Sequence, residues 1–346
     1  MTGPGPSTEM PHEFEPRVLA RRALEVILLL GVLVLAAELA PGLGDVRREL
    51  SHAQPGWLAV AGALEALSGC SYVLMFRPVF CRRLSWRTTW ELSWSELAVG
   101  SIVPASGAGG LALGAWILRR GGMSVDRIAR RSVAFFLLKS SVNFVAVAVI
   151  GVLMATHLVG PDRPWWQTAA PAAAAVLAIA VVLALPRLGE GRAPEQDAGR
   201  VHRWSHAARR GLIGGVTEAI VVARARDPLL LVGALGYWAW DNLVLWATFH
   251  AVGVSPSIWV ILMGYLIGQL GGALPLPGGV GGIDGGLIGT LVVFGVPAAA
   301  TTAAVLAYRV ILFWLPLVVG GFAFWALRRG VGDPGRNDLF ASEAPG

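Results

Sequence analysis

Few charged residues interrupt the apolar stretches of this chain, and their types are chemically specific. Lys139, the only lysine, and Arg309 are the cations; Glu65, Glu96, Asp241 and Asp284 are the acids. A charge at bilayer depth costs at least about 2.5 to 3.5 kcal/mol on insertion scales, so such groups face the bundle interior and pair or work there. Two cations beside a wet cavity suit an anionic headgroup, held in alternation as the cavity opens to each side. The acids suit proton coupling or ion pairing. Asn242 follows Asp241 and makes a polar cluster in mid-span behind Trp238 and Trp240. Asp284 stands just before Gly285, where it either caps a half-helix or couples a proton or ion. Structural pairing of Glu65 and Asp241 with Lys139 or Arg309 is the plainer alternative, as is snorkelling of the two cations.

Beside each cation the chain carries a glycine- and proline-rich break. Gly100, Pro104, Gly107, Gly110 and Gly114 recur as Gly271, Pro275, Gly278, Gly281 and Gly285, 171 residues on, and Gly62-Ala63-Leu64 recurs as Gly233-Ala234-Leu235 at the same offset. Repeated interrupted helices are a transporter pattern. Proline and glycine unwind a helix and free backbone groups that hydrocarbon cannot satisfy, so the two tips must line a polar cavity near the midplane. Half-helices starting near Gly110 and Gly285 would aim N-terminal amides into it. The expected translocation site is therefore Pro104, Gly107, Gly110 and Lys139 from one half, with Pro275, Pro277, Gly278, Gly279, Gly281 and Arg309 from the other. Glu65, Asp241, Asn242 and Asp284 form the expected coupling or polar cluster. Glycines alone would also suit close helix packing, but Pro275 and Pro277 break helices and packing glycines do not.

The elements that must position these groups follow from composition. With 55% hydrophobic and 14% charged residues and a mean hydropathy of +0.62, the chain lies outside the soluble range. Its net charge of +6 comes from arginines clustered in short loops, a membrane-orienting distribution rather than a nucleic-acid footprint. Spans are expected at 23–40, 56–80, 133–155, 168–185, 229–252 and 302–327. Two further apolar stretches, 90–118 and 257–295, are broken in the middle. The first is too short to cross twice. If both re-enter on the side they came from, 23 arginines collect on one face and Arg47, Arg48 and Arg163 remain on the other. A simple crossing at 90–118 would move five arginines to the wrong side.

The expected fold is thus an all-α integral membrane protein of about six transmembrane helices and two oppositely oriented re-entrant hairpins. It is an inverted-topology repeat with halves at roughly 17–160 and 165–329. A signal-peptide reading of 17–40 would spoil that symmetry. The tails 1–16 and 330–346 read as disordered. The basic loop 187–228 reads as a partly helical segment on anionic headgroups, or else as an ordinary solvated loop. Trp165 and Trp166 on one face, with Trp86 and Trp90 on the other, suit interfacial anchoring.

Pro277-Gly278-Gly279-Val280-Gly281-Gly282-Ile283-Asp284, then Phe294-Gly295-Val296, then Leu306-Ala307-Tyr308-Arg309 with Trp314, Pro316 and Gly320, resembles the C-terminal signature of the lysylphosphatidylglycerol synthase transmembrane family. That family is a flippase-like membrane module, and the likeness runs from Arg17 to Arg329. The resemblance implies a role in moving lipids between leaflets. In bifunctional members the module precedes a soluble aminoacyl-transferase domain, and this sequence reads as the module without it. Two departures bear on the headgroup. Asp284 stands where the family commonly has Glu, and the first hairpin, often carrying an acid and an arginine after its glycine, reads Gly107-Ala108-Gly109-Gly110-Leu111-Ala112.

No nucleophile elbow, zinc-protease helix or phosphate-binding loop occurs in the sequence. The six histidines lie mostly in tails and loops, and Cys70 and Cys81 have no metal-ligand spacing, so free thiols, no metal and no cofactor are expected. The sequence thus points to a lipid translocase of a bacterial-type plasma membrane, with both termini cytoplasmic. Its cargo is an anionic phospholipid or a polyprenyl-linked lipid, with membrane lipids as partners and no nucleic acid. Two alternatives differ in class: a scaffold for a separately encoded lipid or glycosyl transferase, and a lipid-modifying enzyme with an intramembrane site.

Overall fold

The computed structural model describes residues 15–39, 44–102, 108–120, 122–189, 200–269 and 282–331, and among these every regular element is a helix. In order they are α1 (Pro16–Leu39), α2 (Gly44–Ser51), α3 (Pro55–Val79), α4 (Trp86–Ile102), α5 (Ala108–Arg120), α6 (Val125–Ala155), α7 (Trp165–Ala184, extended by a 3-10 turn Leu185–Leu188), α8 (Arg200–Arg224), α9 (Pro228–Ala251), α10 (Ile258–Gln269), α11 (Gly282–Val293) and α12 (Ala298–Val331). The chain is an all-α integral membrane protein. Five helices among the described residues are long and apolar enough to cross a bilayer: α3, α6, α7 with its extension, α9 and α12. The first expected span falls in α1, whose side chains beyond Gly31 lie outside the described residues.

Helices outrun the apolar stretches that announce them. α6 starts at Val125, well before the expected 133, because Ser124 accepts a hydrogen bond from the Arg127 amide and Asp126 sits in the first turn. α12 likewise runs through Arg328 and Arg329 to Val331. Hydropathy marks where a helix meets lipid; caps and helix-forming side chains decide where it ends.

Contacts at the helix ends place the two hairpins. At one end of the bundle Arg82 pairs with Asp227, and Arg131 pairs with Glu218 at 2.6 Å and reaches the Val79 carbonyl. There α3 and α12 finish and α4, α6 and α9 begin, and there α5 returns. At the other end the Gln54 amide bonds the Ala251 carbonyl at 2.8 Å, and Arg163 bonds the Phe294 carbonyl. There α10 begins and α11 returns. α4 packs on α5 and α10 on α11, and neither α5, α10 nor α11 exceeds 13 residues, about 20 Å of helix against a core of about 30 Å. The two pairs open to opposite ends. Their tips, 103–107 and 270–281, lie outside the described residues.

The returning arms of the two hairpins end in the same cap, which also closes α9 at Gly253. α5 ends with the Gly122 amide on the Arg119 carbonyl and the Met123 amide on Leu118; α11 ends with Gly295 on Val292 and Val296 on Leu291. Both glycines sit at positive φ, 86° and 82°, closing the helix where an L side chain would be strained. These caps stand 173 residues apart, two more than the offset at which the glycines of the sequence coincide. The half-helices also start earlier than expected, at Ala108 and Gly282.

α3 and α9, the equivalent spans of the two halves, pack along each other at the centre. Glycine makes this possible, because a Cβ at Gly233 would lie 2.8 Å from the Ser71 carbonyl and the Met75 amide. In the second hairpin Gly264 and Gly268 of α10 take Leu291 and Leu287 of α11 in the same manner. α8 is an amphipathic helix seated on α6, with Gly214 and Gly215 against Arg130 and Val133. Of the basic loop expected at 187–228, the stretch Arg200–Arg224 is therefore a helix docked on α6, and 190–199 lie outside the described residues.

Candidate functional site

The chain has four tyrosines, Tyr72, Tyr265 and Tyr308, which are buried, and Tyr237, which is half-buried, and all four meet in one strip between the halves. On α3 the strip carries Glu65 and Tyr72, one helical face by their spacing; on α9 it carries Tyr237 and Asp241. Glu65, Glu96 and Asp241 are buried.

In the first half the Tyr72 hydroxyl donates to Glu96 Oε2 at 3.0 Å, tying α3 to α4. The other oxygen, Oε1, faces Gly114 of α5, where any Cβ would collide with it. One carboxylate thus touches all three elements that form the first hairpin's wall. Lys139 of α6 reaches over this pair, its Nζ 5.8 Å from the Tyr72 ring centre and 5.4 Å from that of Tyr237, within cation–π range of both. Glu96 and Asp241 lie within its electrostatic reach. Among the described residues its ammonium makes no hydrogen bond or ion pair.

In the second half Asp241 accepts from two tyrosines, Tyr265 of α10 through Oδ2 and Tyr308 of α12 through Oδ1, the latter at 2.9 Å. Glu65 lies beside it across the α3–α9 seam. The next residue after Tyr308, Arg309, pairs with Asp284 of α11. The buried hydroxyl–carboxylate contacts are costly to leave unmade, and the half-buried ion pair less so.

The two tyrosine–carboxylate pairs are alike in spacing and stand 169 residues apart, against the 171 of the glycine repeat. Tyr72 and Glu96 are 24 residues apart, and so are Asp241 and Tyr265. Each joins the second span of its half to the first arm of the following hairpin. Donor and acceptor have changed places: the span holds the tyrosine in one half and the carboxylate in the other.

Of the expected site, Lys139, Arg309, Asp241 and Glu65 stand in or beside this strip. Asp284 lies inside the first turn of α11, two residues after its start, so its carboxylate serves Arg309 from there instead of standing ahead of the helix. Asn242 turns its amide back onto the Trp238 carbonyl of its own helix at 2.8 Å. Pro104, Gly107, Pro275, Pro277, Gly278, Gly279 and Gly281 lie outside the described residues, and Gly110 lies in the first turn of α5. The tyrosines are what the sequence reading passed over. Their signal was position: four aromatic hydroxyls, all within apolar stretches, in a chain whose tryptophans supply the interfacial anchors.

A family model described as Lysylphosphatidylglycerol synthase TM region matches residues 22–320. Two curated relatives from Methanothermobacter thermautotrophicus, each called "UPF0104 membrane protein", are similar over most of their length. One is 26% identical over 320 residues, covering 81% of this chain and 86% of that protein. The other is 23% identical over 315 residues, covering 85% and 93%.

Proposed function

The chain belongs to the lysylphosphatidylglycerol synthase TM region family, and from that membership we propose that it moves an anionic phospholipid or a polyprenyl-linked lipid between leaflets by alternating access. The observation that carries this reading is the buried polar strip on the α3–α9 seam, reached by one hairpin from each end. A seam between two equivalent halves is where rocking of one half against the other exposes the same groups first to one side and then to the other.

Each half offers one cation to a headgroup phosphate. Arg309 already holds a carboxylate, so a phosphate arriving there replaces Asp284 as its anion and loosens α11 from α12. Among the described residues Lys139 has ring faces and more distant carboxylates around it and makes no hydrogen bond or ion pair, so a phosphate arriving there gains its full charge. Asp284 or Asp241 carries the coupling proton. With no nucleotide-binding motif in the sequence, ATP does not drive the step directly. The arginine-rich end faces the cytoplasm of a bacterial-type plasma membrane.

The test is leaflet exchange of fluorescent anionic, zwitterionic and polyprenyl-linked lipids in proteoliposomes, with and without a proton gradient. Wild-type protein accelerates exchange of an anionic lipid and Arg309→Ala slows it about tenfold or more, the loss of one charge-assisted contact in the crossing state. Equal rates in the two proteins would remove Arg309 from the pathway. No exchange of any of the three lipid classes would overturn the reading.

A further inference from the structure

A recess of about 470 Å³ opens between α4 and α12 at the arginine-rich end, away from the strip. Helical spacing builds both walls: Arg87, Trp90 and Glu91 share one face of α4, and Phe322 and Trp325 share one face of α12. The recess closes toward the bilayer centre where Gly320 meets the Trp94 carbonyl so tightly that no Cβ fits. Its lining is overwhelmingly apolar, and Trp90, Phe322 and Trp325 are between 41% and 71% exposed.

The mouth has the opposite character. Arg87 uses Nε on Glu91 at 3.0 Å; its side chain is 69% exposed while that of Glu91 is 4% exposed, so the rest of the guanidinium looks outward. Arg329, one turn beyond Trp325, lays its guanidinium 3.5 Å over that indole, and Arg328 beside it is exposed. Glu91, the acid of the recess, is buried behind its arginine. Two guanidinium groups at the arginine-rich end therefore border an apolar slot walled by aromatics, Arg87 in its lining and Arg329 on the Trp325 indole.

We propose that this recess is a binding site for one anionic glycerophospholipid, with its phosphate on Arg87 and Arg329 and an acyl chain over Trp90, Phe322 and Trp325. The charge at the mouth selects an anion, and the apolar walls exclude a free phosphate. The site is distinct from the translocation strip. Because α4 belongs to the first hairpin and α12 to the second half, the lipid bridges the joint along which the halves must move, and its occupancy sets how firmly that joint holds.

The test uses lipid-depleted full-length protein in detergent, titrated with phosphatidylglycerol or phosphatidylcholine carrying brominated acyl chains, with tryptophan fluorescence as the readout. Phosphatidylglycerol should quench saturably at concentrations at least fivefold below phosphatidylcholine. Arg329→Gln should erase that preference, as should Arg87→Gln. A Trp90→Phe/Trp325→Phe variant should lose most of the saturable quenching. Equal quenching by the two lipids would mean annular contact only and would overturn the proposal. So would saturable phosphatidylglycerol quenching that survives the tryptophan replacements, which would place the lipid elsewhere. Should Arg87→Gln fail to fold without its ion pair to Glu91, Arg329→Gln and the tryptophan variant decide the matter.

Discussion

Asp241 holds two helices to its own through two hydroxyls, so its replacements should separate by how many of those bonds survive. Asp241→Asn keeps one good acceptor, Tyr308→Phe removes one donor, and Asp241→Leu strands both tyrosines. Each buried group left unpaired costs about 1 to 3 kcal/mol, so thermal midpoints in detergent should fall in the order Asp241→Asn, Tyr308→Phe, Asp241→Leu. A leucine variant as stable as wild type would deny the strip any structural weight. Lys139 is the contrasting case. It makes no hydrogen bond or ion pair among the described residues, so Lys139→Met should leave the thermal midpoint within a few degrees while slowing lipid exchange about tenfold. A variant that loses both together would make the lysine a packing residue.

At the scale of elements, glycines matched by sequence turn out to have unequal work. Gly62 has open space where a side chain would go, whereas Gly233, its partner in the sequence repeat, has the α3 backbone there. Gly62→Ala should therefore be neutral or stabilise by up to about 1 kcal/mol, while Gly233→Ala should destabilise by about 1 to 3 kcal/mol as α3 and α9 are forced apart. Comparable effects at the two positions would contradict the packing. This is also where the sequence stopped being informative. Apolar runs and arginine counts carry the spans and the opposed hairpins, because both follow from lipid and membrane orientation. Which side chains face each other across α3 and α9 depends on helix rotation and contact between residues some 170 apart, which no local pattern records. Glu96 could thus be read as an acid in an apolar stretch, but not as the partner of Tyr72. The amphipathic docking of α8 was similarly hidden, since its seat on α6 is tertiary. Its ion pair Arg131–Glu218 is partly exposed, so Glu218→Ala should cost only about 1 kcal/mol in thermal unfolding, and less in high salt.

For the whole molecule, the opposed hairpins make a statement about sides. With Cys70 and Cys81 replaced, single cysteines at Arg83 and Arg119 should label with a membrane-impermeant thiol reagent from one side of sealed vesicles, and those at Asp162 and Ser257 from the other. Labelling of Arg83 and Arg119 from opposite sides would turn the first hairpin into a crossing and end the inverted arrangement. The helix caps at Gly122 and Gly295, alike in their two closing bonds yet at opposite ends of the bundle, carry a further consequence. A hairpin that returns to its own side adds nothing to the parity of a chain, so with α1 counted as the expected sixth span each half crosses three times, an odd number. When a stretch with odd parity is duplicated and joined head to tail, its second copy is threaded upside down by connectivity alone. Such a fusion would by itself supply the pseudo-twofold axis, and an exchange of donor and acceptor between the two tyrosine–carboxylate pairs is what divergence of copies already facing opposite ways would leave.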